Sequence, residues 1–327
     1  MAGPSSSLAV VRWELSMPFN EFDLAMNRKG FIGPQVFAVR PVGIQAANVT
    51  KIKIEQLLRQ VATTRAPGAG YSQSDFEFDD YAYATREHGH ESPIDDSQLA
   101  LYRDILDAET VHAARAADAV LSEYERDTAA AAFNTSTFAS YKDDVTAAWT
   151  DHTNAKPIDD LMSAIENVET QCGLSPNRIA INKNVWRHLR NCDQVIDRVK
   201  YTKTATQTEI AGLLAEVLGI EKILVAGGLT NTSVTPSAAA ISRIWSNNYA
   251  LVFRAAETED PQEPCLGRTF VWTGDGPGAT GTEEELALIM EEYRNEGVRG
   301  SVLRGRNNYD IQVMYARAGF LLTSVSG

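Results

Sequence analysis

Apolar and polar residues alternate in the strand manner along two stretches in the first third of the chain. In the first, Ile52 and Ile54 point one way while Lys51, Lys53 and Glu55 point the other. In the second, Phe76 and Phe78 alternate with Glu77 and Asp79, then Tyr81 and Tyr83 with alanines. The tract Arg65-Ala-Pro-Gly-Ala-Gly-Tyr71 lies between them. Residues 31–90 therefore predict two β-like arms around a glycine-rich tip. A two-stranded hairpin is marginally stable in water by itself. One this long is expected to rest on another copy of the chain.

The period then changes from two to between three and four. Ser92 is placed to be an N-cap, Pro93 the first helical residue and Asp95 part of the first turn. Leu99, Tyr102, Leu106, Ala113, Ala117, Val120 and Tyr124 form one stripe, which predicts a helix to about Ala132. At 1.5 Å per residue its roughly 38 residues span on the order of 55 Å, more than a compact domain needs. Residues 158–260 read as an α/β unit. Helices are expected at Ile158–Cys172, Lys183–Cys192, Asp193–Tyr201 and Thr208–Leu218, with Gly173 and Gly219 as stops. Strands are expected at Arg178–Asn182, Lys222–Ala226 and Tyr249–Arg254. Beyond it, strands at Thr269–Thr273, Val298–Arg304 and Tyr309–Thr323 surround a helix near 283–294. The first 30 residues form an arm with apolar spots at Leu8, Val10, Val11 and Trp13.

Charge narrows the function classes. The 327 residues carry a net charge of −13. That opposes a DNA-binding module, whose affinity comes from neutralising phosphates, but suits a container that surrounds nucleic acid without sticking to it. The hairpin is polarised: Lys51, Lys53, Arg59 and Arg65 lie on the first arm and tip, and Asp75, Glu77, Asp79 and Asp80 on the second arm. This suits cross-strand pairing and charge-matched docking on a neighbour. No apolar run approaches the roughly 20 residues that span a bilayer, and no signal peptide opens the chain, so a cytosolic site of synthesis is expected. Three scattered cysteines make neither a disulfide framework nor a zinc pattern, and are expected to be buried thiols.

Candidate chemistry is sparse. Gly276-Pro-Gly-Ala-Thr-Gly281 fits a dinucleotide loop, but Pro277 removes a donor where donors are needed and too little chain follows for a nucleotide-binding half. His88 and His90 have no further ligands near them and read as a solvated strand end. His112 and His188 fall on predicted helices, packed or exposed. No nucleophile motif, Walker loop or paired metal histidines occur. No catalytic residue, metal ligand or cofactor site is assigned.

Phe31-Ile-Gly, then Val36-Phe-Ala-Val, the tip at Arg65–Tyr71 with Asp75-Phe-Glu-Phe, and Pro93-Ile-Asp-Asp follow one another in an order that resembles a known family. So do Pro176-Asn-Arg-Ile-Ala-Ile-Asn-Lys-Asn-Val-Trp186, Asp193–Tyr201, Gly219–Val225 and Tyr309–Leu322. The chain resembles the major capsid proteins of tailed bacteriophages, which share the Hong Kong 97 fold. The resemblance implies an α+β architecture: N-terminal arm (1–30), E-loop (31–91), peripheral domain with spine helix (92–155), axial α/β domain (156–260), and peripheral-domain strands with the C-terminus (261–327). It implies self-assembly into hexamers and pentamers of an icosahedral shell around a double-stranded DNA genome contacted non-specifically. The implied location is the virion, with assembly in the host cytoplasm. Implied partners are a separate scaffolding protein, a portal and decoration proteins, with no membrane. Expected intersubunit contacts are Lys51, Lys53, Arg59, Arg65, Pro67, Gly68 and Tyr71 on the E-loop, and Val11 and Trp13 on the arm. An encapsulin-like nanocompartment shell is the runner-up, and a nucleotide-dependent α/β enzyme built on Gly276–Gly281 a distant third.

Overall fold

The computed structural model describes residues 10–11, 30–61, 63–75, 77–102, 108–199, 207–233, 238–258, 260, 262–275, 286 and 288–327. Trp13 and the glycine motif Gly276–Gly281 lie outside the described residues.

Two sheets organise the molecule. The first contains β1 (Val10–Val11), β2 (Ala38–Val42), β5 (Arg86–Asp95), β12 (Gly267–Trp272), β13 (Ile289–Asn295) and β14 (Gly300–Val313). Its order is β1-β13-β14-β12-β2, with β5 pairing antiparallel to β14 on the side away from β13. The long helix α4 (Ala108–Ala132) lies across this sheet with Ala113, Ala116, Ala117, Val120, Leu121 and Tyr124 buried. Small residues permit the close approach: a Cβ at Gly305 would stand 3.4 Å from the backbone of Ala116 and Ala117. Of the expected stripe, Ala113, Ala117, Val120 and Tyr124 face the sheet, whereas Leu99 is exposed.

Element assignments change in this sheet at 92–95 and 289–295. Ser92 and Pro93 are strand residues of β5, not a helix start. Ten residues of β5 pair with β14 in register, which outweighs a local capping signal, and Pro93 is tolerated because β5 is an edge. The helix α3 (Asp96–Tyr102) begins three residues later, with the Asp95 carboxylate accepting the Ser97 backbone N–H at 2.7 Å. Residues 289–295, expected as helix, are β13: Ile289, Met290, Glu291 and Tyr293 are buried. Glu291 is buried because Arg304 and Arg306 of the neighbouring strand pair with it.

The second sheet contains β6 (Lys142–Asp144), β7 (Arg178–Asn182), β8 (Lys222–Ala226), β11 (Ala250–Phe253) and β15 (Gly319–Thr323), in the order β6-β15-β11-β7-β8, while β9 (Leu229–Asn231) and β10 (Ile241–Arg243) pair with each other. Central β11 is buried along its whole length. The helices α5 (Pro157–Cys172), α6 (Lys183–Asn191), α7 (Asp193–Val199) and α8 (Gln207–Leu218) accompany it. Gly173 terminates α5 in the left-handed region at φ +71°. One core forms around Ile158, Leu161, Ile179, Ile181, Trp186 and Val252. A second core of Phe37, Phe138, Trp245, Leu251 and Phe253 joins the two sheets. The three cysteines are free and buried.

The chain crosses from the first sheet to the second through Met314–Ala318, so β15 pairs with β11 and β6. The last strand therefore belongs to the second sheet, whereas the resemblance implied peripheral-domain strands throughout 261–327.

A buried acid ties the two halves. Glu125 of α4 accepts the backbone N–H groups of Ile32 (3.0 Å) and Gly33 (2.8 Å) at the start of α1 (Gly33–Val36), and the Trp245 indole N–H at 2.6 Å. Burial pushes its carboxyl above the usual glutamate range, against the three hydrogen bonds that favour the anion.

Candidate assembly surface

The hairpin consists of β3 (Ala46–Ile52) and β4 (Phe78–Ala84), paired antiparallel from Ala46↔Ala84 to Ile52↔Phe78. It forms a separate two-stranded sheet. Its charges pair across the arms: Lys51 stands opposite Asp79 with Nζ 3.7 Å from the carboxylate, and Lys53 donates to Glu77 at 2.9 Å. That contact raises the Lys53 ammonium and lowers the Glu77 carboxyl, the side-chain hydrogen bond being the larger cause in each.

The root is held to the body by aromatic and polar contacts. Tyr83 stacks on Phe270 of β12 at 4.5 Å between ring centres, and the Ala84 N–H donates to Asp310 at 2.9 Å. An open cleft of about 520 Å³ lies at this root, lined by Ala82, Ala84, Asp127, Ala131, Tyr309 and Gln312 among others. Further out, the first arm departs from the expected alternation. Ile54 and Glu55 are not strand residues; they begin a helical turn, α2 (Ile54–Leu57), with Ile54 3% exposed in the core of the second sheet.

Beyond α2 the chain projects. Tyr71 is 75% exposed and Phe78 57%; Ile44, in the turn before β3 at the root, is 66% exposed. Arg65 folds onto its own loop, donating from Nε to the Ala69 carbonyl at 2.6 Å with its guanidinium 4.5 Å from the centre of the Tyr71 ring. Pro67 and Gly68 form the turn, Gly68 with φ +84°. Arg59 is exposed and acts on Glu77. Of the singled-out residues, Arg65, Pro67, Gly68 and Tyr71 thus sit together at the projecting end, while Arg59 follows α2 and acts on Glu77. Lys51 and Lys53 lie nearer the root and are engaged within the chain. Val11 is remote from them, paired with Glu291 at the edge of the first sheet.

The histidines take structural places. His88 stacks on Tyr309 at 4.2 Å, and burial lowers its imidazole. The His112 ring Nδ1 lies 2.8 Å from the Ser92 hydroxyl. His152 and His188 form a pair, 3.2 Å between ring nitrogens, that sequence spacing could not reveal because 36 residues separate them. No group of three or more metal-ligating side chains occurs among the described residues.

Six- and five-stranded sheets joined by a core, a long helix on one of them and a projecting hairpin make a combination that is matched over nearly the whole chain by solved structures. A phage-related protein from Bordetella bronchiseptica superposes with a TM-score of 0.70 at 19% identity, covering 97% of this chain and 98% of that one. The capsid of cyanophage P-SCSP1u superposes with a TM-score of 0.59 at 15% identity, covering 88% and 86%. The chain has the Hong Kong 97 capsid fold. The holo-SrpI encapsulin of Synechococcus elongatus shows the same Hong Kong 97 fold at a TM-score of 0.50 and 11% identity, covering 89% and 86%. In sequence, the chain is 23% identical over 175 residues to the major capsid protein of Burkholderia phage BcepMu, 52% of this chain. That alignment spans about half the relative's length, 51%. No family model matches the chain.

Within the Hong Kong 97 fold, we propose that the hairpin is the E-loop and α4 the spine helix. The sequence reading missed Ile54, Tyr315 and Arg317, which position the E-loop on the body; the alternation through Ile52 and Ile54 assigned Ile54 to a strand face.

Proposed function

We propose that the chain is a phage major capsid protein, a subunit that self-associates into hexamers and pentamers of an icosahedral shell enclosing a double-stranded DNA genome. The observation that carries this reading is the E-loop: a two-stranded projection with exposed Tyr71 and Phe78, on a body that holds its own buried cores. Such a projection is stabilised by a second copy, and burying each of its apolar side chains would contribute about 1.5–3 kcal/mol. The role is geometric: Arg59 and the tip residues Arg65, Pro67, Gly68 and Tyr71 lie over the adjacent subunit, and the arm with Val11 and Trp13 ties neighbours. The acidic chain, net −13, surrounds packaged DNA with little attraction to it. A separate scaffolding protein directs assembly in the host cytoplasm, and a portal and decoration proteins join the shell in the virion.

The encapsulin match supports a second reading, a nanocompartment shell that holds an enzyme in place of a genome. Sedimentation and negative-stain imaging of the expressed chain, with and without its neighbouring gene products, test both. Capsomers or closed shells are expected, empty or holding DNA. Shells that hold a co-purifying enzyme would favour the compartment reading. A stable folded monomer at micromolar concentration would contradict both.

A further inference from the structure

The E-loop meets the body a second time, well beyond its root, at the segment Met314–Ala318 that carries the chain from the first sheet to the second. Five contacts converge there. The Tyr315 hydroxyl donates to the Ile52 carbonyl at 2.8 Å. The Lys51 ammonium donates to the Met314 carbonyl at 3.0 Å and lies 5.3 Å from the centre of the Tyr315 ring. Arg317 pairs with Glu55 at 2.6 Å. Ile54, 3% exposed, inserts into the core that also contains Met314, Tyr315 and Ala318. Burial pushes the Tyr315 hydroxyl up to about 12, so it remains a donor at any pH the protein meets.

These contacts fix an angle. The root alone, at Tyr83 and Phe270, leaves the arms to pivot about one end. A second attachment at the far end of β3 removes that pivot. We propose that the crossing segment 314–318 is the seat that sets the E-loop's angle to the body, with Ile54, Tyr315 and Arg317 as its positioning residues. This inference rests on the shell reading for its consequence: the reach of the tip to a second copy is set within the subunit, before the neighbour arrives. Because the seat is also the link between the two sheets, a rotation of one sheet against the other moves the tip with it.

The seat itself is testable without assembly. Backbone hydrogen exchange of unassembled subunits is measured at 50–52, with β7 as an internal reference, in the parent, Tyr315→Phe, Arg317→Glu and the exchanged pair Arg317→Glu with Glu55→Arg. Shell diameters are measured on the same proteins. Tyr315→Phe and Arg317→Glu should each speed exchange at 50–52 by about threefold to tenfold, leave β7 unchanged, and broaden the diameters. The exchanged pair should return both towards the parent. Unchanged exchange in both single variants, equal loosening of β7, or an exchanged pair no better than Arg317→Glu would each overturn the seat. Absence of particles from the parent would overturn the shell reading alone, and the exchange measurement would still decide the seat.

Discussion

The central strand β11 and the E-loop strand β3 differ in every partner they have. All four residues of β11 are buried, with β7 on one side and β15 on the other. β3 has one partner, β4, and alternates between exposed and half-buried positions. At β11 the body pairs both edges of the strand and buries every side chain within its own chain. The E-loop buries side chains only where it touches the body, at Tyr83, Ile54 and the crossing segment. Substitutions in the first region should therefore be read in the subunit, and substitutions in the second in the assembly.

The largest effect is expected from Phe253→Ala in β11, about 3–5 kcal/mol of subunit stability through a core cavity. Chemical denaturation measures it; a loss confined to shell yield would break the contrast between the regions. Next is Glu125→Ala at the joint between them, which leaves Ile32, Gly33 and Trp245 donors unpaired at about 1–3 kcal/mol each, not additively. The acid also has a pH signature. Its carboxyl is raised in the folded state, so the folded protein binds the proton more readily than the unfolded chain. Stability relative to Glu125→Gln should accordingly be greatest at low pH. It should decline as pH rises from the ordinary glutamate value, about 4.3, through the raised folded value, and then level off. Melting temperatures of both proteins across that range check this, and a relative gain with rising pH would mean the carboxyl is instead lowered.

Effects on the subunit should then vanish. Phe78→Ala, at a side chain 57% exposed, should shift subunit stability by no more than about 0.5 kcal/mol while lowering particle yield on a sucrose gradient. The smallest change is expected at the tip. Arg65→Glu should leave the subunit folded by circular dichroism but reduce shell yield or melting temperature, and Arg65→Ala should do less, since exposed pairs are worth about 0–1 kcal/mol each. If both match the parent on both measures, Arg65 is not an intersubunit contact.

Much of this architecture was legible where local signals and tertiary demands agree. β7 and β8 have the expected ends, and Gly173 stops α5 as a left-handed residue. The cross-strand pairing of Lys51 with Asp79 follows from the charge pattern of the two arms. The failures are places where distant chain decides. Ser92 and Pro93 carry a good capping signal, but β14, some 210 residues on, recruits them into a strand. Glu291 is buried because Arg304 and Arg306 reach it from the next strand. Ile54 continues an alternating pattern yet turns into the body, because the crossing segment offers it a core. Which E-loop residues meet the body and which project could not be read from spacing, since both sets carry the same residue types.

The central claim is that a self-sufficient body projects an E-loop whose tip belongs to a neighbour. A cryo-electron microscopy map of the particle formed by the expressed chain tests it most directly. The account predicts a closed shell in which density for Arg65–Tyr71 lies on an adjacent subunit while Ile54 remains in its own. A particle whose tips touch no neighbour, or a preparation of monomers alone, would contradict it.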